Sequence, residues 1–141
     1  MVRSRAMDAA QALADLTEIS TQIETAVLAT RGGDVLASTF GDEAKATEMA
    51  GVALELLAAA EEVGGARAEP LAQLQAETES GSVFVVVDGD SIAAAATKPK
   101  PTVGLVFYDL KSCLRLLEGE KAAAAKGATR RRSKKKDEDG A

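Results

Sequence analysis

Few residues in this sequence are of a type that does chemistry. Asp88 and Asp90 flank Gly89, and two carboxylates so close together are the beginning of a cation loop. Calcium needs several more oxygen ligands at defined spacing, and none follow, so Asp88-Gly89-Asp90 reads as a tight turn. Cys113 is the single cysteine, and the chain has no His and no Trp. A thiol becomes a nucleophile when something stabilises its thiolate, and no imidazole is present to do so. The same counts exclude an intramolecular disulfide and the common zinc spacings. Gly32-Gly33 and Gly64-Gly65 lack the Lys and Ser or Thr of a phosphate loop and read as turns. No catalytic set, metal site or cofactor site can be assembled. Near the C-terminus, Arg130, Arg131, Arg132, Lys134, Lys135 and Lys136 form a basic run that could contact nucleic acid phosphates or an anionic membrane. It carries no interleaved aromatic or apolar anchor, and Asp137, Glu138 and Asp139 partly neutralise it, which is also the composition of a solubilising tail. Ser133 inside the run offers a phosphorylation point that would lower its charge.

The net charge of −5 conceals a division. Residues 1–118 hold 9 Lys+Arg against 18 Asp+Glu, whereas residues 119–141 hold 8 against 4. The expected organisation is an acidic domain over 1–118 and a basic, mostly disordered tail over 119–141, where no apolar residue is larger than Ala. With 141 residues and 46% hydrophobic content, there is enough chain for one core. Asp8, Gln11 and Asp15 interrupt the stretch that a secretory signal would need, and Glu55, Glu61 and Glu62 interrupt the longest candidate for a spanning helix. A cytoplasmic protein is the expectation.

Helical and strand periods alternate along the chain. Ala9, Ala12, Leu13, Leu16 and Ile19 predict an amphipathic helix over residues 5–20. Residues 25–30 and 35–40 read as strands joined by Arg31-Gly32-Gly33-Asp34. Asp42 is a candidate N-cap for a helix running to about Val63, which Gly64-Gly65 ends. After Pro70, alternating Leu74 and Ala76 against Gln75 and Glu77 predict a half-exposed strand, and residues 81–88 a strand buried on both faces. The turn at 88–90 leads into a last strand over 91–97. Pro99 and Pro101 break the pattern. The composition of TVGLVFYD favours a strand, yet Val103, Val106, Phe107, Leu110, Cys113, Leu114 and Leu117 fall at helical intervals; a helix with Thr102 as N-cap is predicted.

The second helix is more apolar than a surface helix requires. Met49, Val52, Ala53, Leu56, Ala60 and Val63 make one face, and Ala46, Ala50, Leu54 and Leu57 extend it sideways. It is either the central helix of a monomeric core or a helix in contact on two sides, with the sheet and with a partner. The chain has little else to cover it, and the small residues Ala46, Ala50, Gly51, Ala53 and Ala60 would admit a second helix closely, so self-association is the favoured reading.

The order helix, strand, strand, helix, three strands, helix describes an α+β domain with a five-stranded antiparallel sheet. Over roughly residues 5–118 it resembles the Roadblock family, which includes Roadblock-type dynein light chains, Ragulator subunits and MglB. The resemblance rests on IETAVLATRGGDVLAST, the Ala-rich second helix, GSVFVVVDGDSIAAAAT and PTVGLVFYDLKSCLRLL, and on their order and spacing. It implies a dimer in which second helices pair and the middle strand continues the sheet. The interface candidates are then Met49, Val52, Ala53, Leu56 and Ala60 with Leu71 and Leu74. It also implies a non-catalytic regulator or scaffold of a Ras-like small GTPase, without a nucleotide site of its own. Arg31, in an exposed turn, could be imagined as an arginine finger for such a partner, but MglB-like regulators reposition the GTPase's own residues, and a solvated arginine is the simpler expectation. The alternative function is a dimerisation scaffold whose basic tail recruits nucleic acid or an anionic membrane. An enzyme with an unrecognised site ranks below both.

Overall fold

A computed structural model describes residues 2–64 and 73–117. Within them, α1 (Val2–Ile19) leads into β1 (Ile23–Thr30) and β2 (Val35–Ser38), then α2 (Glu43–Gly64), then β3 (Gln73–Thr78), β4 (Gly81–Asp88) and β5 (Ser91–Thr97). A third helix, α3, occupies residues 103–117. The five strands form one sheet in the order β2-β1-β5-β4-β3, every neighbouring pair antiparallel. Thus β3, third of five along the chain, lies at a sheet edge, and the Ala-rich β5 lies at the centre.

Strand alternation divides the core in two. Leu28, Phe84, Val86, Ala93 and Ala95 face α1 and α3, whereas Val27, Ala29, Val85, Ile92 and Ala94 face α2. Phe84 and Val85 are both fully buried, as expected of a strand covered on both faces. Under α3, Phe84 meets Phe107 edge to face, with ring centroids 5.0 Å apart. The small side chains of β5 bring α2 close to the sheet, and α2 answers with Ala46, Ala50, Ala53 and Leu57 on its inner side, all buried.

The helix boundaries have local causes. The Asp42 carboxylate accepts a hydrogen bond from the Ala44 N–H at 2.9 Å, and its carbonyl accepts one from Ala46, so Asp42 is the N-cap of α2. Asp42→Ala is expected to cost about 1 kcal/mol, read as a lower urea midpoint at unchanged slope. At α3 the Thr102 carbonyl accepts from Leu105 and Val106, each at 3.1 Å, and the Thr102 N–H donates to the Gln22 side chain. Helical spacing therefore prevails there over strand propensity. The strand expected through Phe40 ends at Ser38 instead. Thr39 still donates its N–H to the Ala26 carbonyl, but Phe40 leaves the ladder to pack against the α2-side core.

Candidate protein-binding faces

Three sides of α2 are distinguishable. Ala46, Ala50, Ala53 and Leu57 fall at i, i+4, i+7 and i+11, the spacing of one helix face, and sit on the sheet. Glu48, Glu55 and Glu62 are exposed on another side. Between them runs an apolar strip in which Met49, Leu56 and Ala60 are half-buried, Val52 is 45% exposed and Val63 is 87% exposed. Nothing in the described chain covers this strip.

Beside it the sheet is only partly covered. Helix α2 lies over β1, β2 and β5, and its cover reaches Val85 at the middle of β4 but thins out towards β3. Leu74 on β3 and Val83 and Val87 on β4 are consequently only half-buried at the margin of the α2-side core. The outer strip of α2, these three side chains and the free edge of β3 lie on one side of the molecule.

Of the residues expected to meet a partner, Met49, Val52, Leu56 and Ala60 occupy the strip, and Leu74 lies on the partly covered side of the sheet. Ala53 does not belong with them. It is 1% exposed because its position on the helix points it at the sheet, so its side chain is closed to a partner. The small residues Ala46 and Ala50 likewise serve the close approach of α2 to its own sheet rather than to a second helix. Leu71 lies outside the described residues, as do Arg130, Arg131, Arg132, Lys134, Lys135 and Lys136.

The residues weighed for chemistry are engaged otherwise. Arg31 reaches Glu61 on α2 at 3.5 Å, and its N–H donates to the Asp90 carbonyl, which ties the β1–β2 turn to its surroundings. Asp88 and Asp90 are exposed around Gly89, whose φ of 61° suits a turn. Among the described residues no cluster of three His, Cys, Asp or Glu side chains could hold a metal. Cys113 is buried on α3 and its thiol donates to the Ala12 carbonyl at 3.4 Å. Burial, and after it the Asp15 carboxylate, pushes that thiol from 9.0 up to about 12. Unfolded protein therefore releases this proton near pH 9 while folded protein keeps it, so the stability it contributes is present below pH 9 and lost as pH rises towards 12. Near pH 10.5 the loss is expected to reach about 2 kcal/mol. Urea titrations should show wild type losing more stability than Cys113→Ala between pH 8 and 10.5; parallel losses would contradict it.

The opposite face holds a feature that the sequence reading missed. Ile19 of α1 and Leu105, Tyr108 and Leu116 of α3 are all about half or more exposed, and a groove of about 240 Å³ runs between the two helices. The available signal was α3 itself, which is apolar on its outer side as well as along its buried stripe.

No protein-family model matches the sequence, and no curated protein is detectably similar to it. Solved structures are a different matter. Myxococcus xanthus MglB superimposes with a TM-score of 0.71 at 15% identity, over 84% of this chain and 90% of that one. This chain has the Roadblock fold. A Roadblock/LC7 domain from Streptomyces avermitilis matches with a TM-score of 0.67 at 18% identity, covering 79% of this chain and 93% of that one. The gliding protein MglB of Thermus thermophilus gives 0.59 at 20% identity, covering 80% and 87%. The five-stranded sheet with α2 on one side and α1 and α3 on the other is thus shared with proteins that have little sequence in common with it. In the Roadblock fold as this chain builds it, no helix among the described residues is long and apolar enough to cross a membrane.

Proposed function

We propose that this protein is a non-catalytic, dimeric cytoplasmic adaptor that binds a Ras-like small GTPase and modulates its nucleotide cycle or its location. The observation that carries the reading is the uncovered apolar strip of α2 beside the half-buried Leu74, Val83 and Val87 of β3 and β4, in a domain of the Roadblock fold. Two such surfaces related by a two-fold axis bury one another, with Val52, Leu56 and Val63 at the helix contact and Leu74 against the neighbouring copy. A related MglB structure described as having a tetrameric arrangement adds support for self-association as a habit of this fold. Regulation of a GTPase follows the resemblance to MglB, and this chain has no phosphate loop of its own.

Light scattering on the purified chain, run beside GTP hydrolysis by a co-occurring Ras-like GTPase, tests both halves. A dimer that changes the hydrolysis or nucleotide-exchange rate, or binds the GTPase in one nucleotide state, is the expected result. A monomer at micromolar concentration defeats the dimer. A dimer that neither binds nor affects any such GTPase leaves only the scaffold.

A further inference from the structure

The groove between α1 and α3 is built differently from the α2 strip. Its floor is Ala12, Leu16 and Cys113, and Ile19, Tyr108 and Leu116 stand along its rims. Each wall carries a carboxylate, Asp15 from α1 and Asp109 from α3. Asp15 accepts a hydrogen bond from Gln11 at 3.0 Å. Asp109 is only 8% exposed and has no hydrogen bond or ion pair among the described residues. Both carboxylates line the groove, so a cationic segment seated there would meet complementary charge. Two copies of this groove would set carboxylates against carboxylates, which argues against a second copy as its occupant.

The chain carries a better complement. The described part of α3 ends at Leu117, next to Leu116 on the groove rim, and the sequence continues through Ala122–Ala125 into the basic run at 130–136. Asp109 lies eight residues before Leu117, about 12 Å back along the helix axis. Thirteen residues separate Leu117 from Arg130, about 20 Å even at helical rise, so the run can reach both carboxylates. A tethered segment meets its groove at an effective concentration near millimolar, which favours it over a free competitor of equal affinity.

We propose that the basic segment 119–141 folds back into the α1–α3 groove of its own chain, setting its Lys and Arg residues against Asp15 and Asp109 and shielding Ile19, Tyr108 and Leu116. This assignment is independent of whether a GTPase binds elsewhere. It gives the tail a protein surface as its ligand, in place of nucleic acid or membrane.

The chain supplies its own probe, because Tyr108 is the single tyrosine and there is no Trp, so its fluorescence reports the groove rim alone. Acrylamide quenching is measured on the full chain and on a full-length variant with glutamine replacing Arg130, Arg131, Arg132, Lys134, Lys135 and Lys136. All six positions lie outside the described residues, and an unchanged circular dichroism spectrum checks that the fold is kept. At low salt the variant is expected to be quenched about twofold more than wild type, and 1 M neutral salt should bring wild type up to it, since the pairing is screened. Carbodiimide coupling on a mixture of unlabelled and ¹⁵N-labelled protein should join Asp15 or Asp109 to Lys134, Lys135 or Lys136 within one chain. Equal quenching of both proteins at low salt overturns the proposal and leaves the groove open to an external partner. Coupling found only between unlabelled and labelled chains also overturns it, and assigns the groove to the tail of a second copy.

Discussion

Replacing Val52 and Val63 together with glutamate is expected to turn the protein in solution from a dimer into a monomer without disturbing its fold. Both side chains lie on the outer strip of α2, 45% and 87% exposed, so within one chain the new carboxylates remain in water. The cost inside the chain is confined to a few tenths of a kcal/mol, from a negative charge near the C-terminal end of α2, and the better helix propensity of glutamate over valine offsets part of it. In a dimer that pairs α2 with α2, four carboxylates would meet in a desolvated apolar contact. Like charges so placed cost several kcal/mol, which corresponds to a rise of at least about 100-fold in the dissociation constant. Sedimentation at a few micromolar should report the monomer mass, with an unchanged circular dichroism spectrum and urea slope. Persistence of a dimer would locate the self-association face elsewhere, with the α1–α3 side the next to be tested. Any effect on a GTPase that needs the dimer should vanish in the same variant.

Gly81→Ala should be strongly destabilising. Gly81 opens β4 with φ of 155°, and a Cβ built on it would lie 2.1 Å from the Thr97 carbonyl oxygen. The obstacle is backbone at the end of β5, which is held in register by Ser82 opposite Thr97 and cannot swing aside as a side chain would. Backbone strain and overpacking together are expected to cost about 2–6 kcal/mol, a large share of the stability of a domain this size. Gly33→Ala provides the comparison. Its φ is 99°, but the nearest atom is the end of Leu54 at 3.8 Å, so about 1 kcal/mol is expected. Urea titration of the two variants side by side should separate them clearly. Equal losses would mean that conformational strain dominates and the Thr97 contact relaxes.

Much of the architecture could be read from local signals. Asp42 at the start of α2, the turn at 88–90 and the prolines at 99 and 101 each mark a boundary with a physical cause, and the elements fall where those causes put them. What could not be read was which neighbour each apolar side chain meets. On a wheel, Ala53 and Val52 look alike, because helical period says that a face is apolar and nothing about what lies beneath it. Only the placement of α2 over β1, β2 and β5 buries Ala53 and leaves Val52 in water. The α1–α3 groove is illegible in the sequence for a related reason. Ile19 and Tyr108 are 89 residues apart, and their proximity is a property of two helices sharing one side of a sheet. The edge position of β3 is equally invisible in its own residues, since strand order is set by long-range pairing.

The central position of β5 also has a kinetic meaning. Its core, Ile92 to Ala95, is rich in a residue that favours helix, so its extended form depends on β1 and β4 at either side. One of these partners is near, across the turn at 88–90. The other is remote, because Val27 pairs with Ala94, 67 residues further along. Translation at 5–20 residues per second brings that partner into existence roughly 3–13 s after β1 is made. During that interval the apolar run Val27-Leu28-Ala29 has no central strand to join. Closing the sheet is therefore a late, chain-spanning event, and the newly made protein passes through a period in which the inner edge of β1 stands open, an edge that the finished sheet covers with β5.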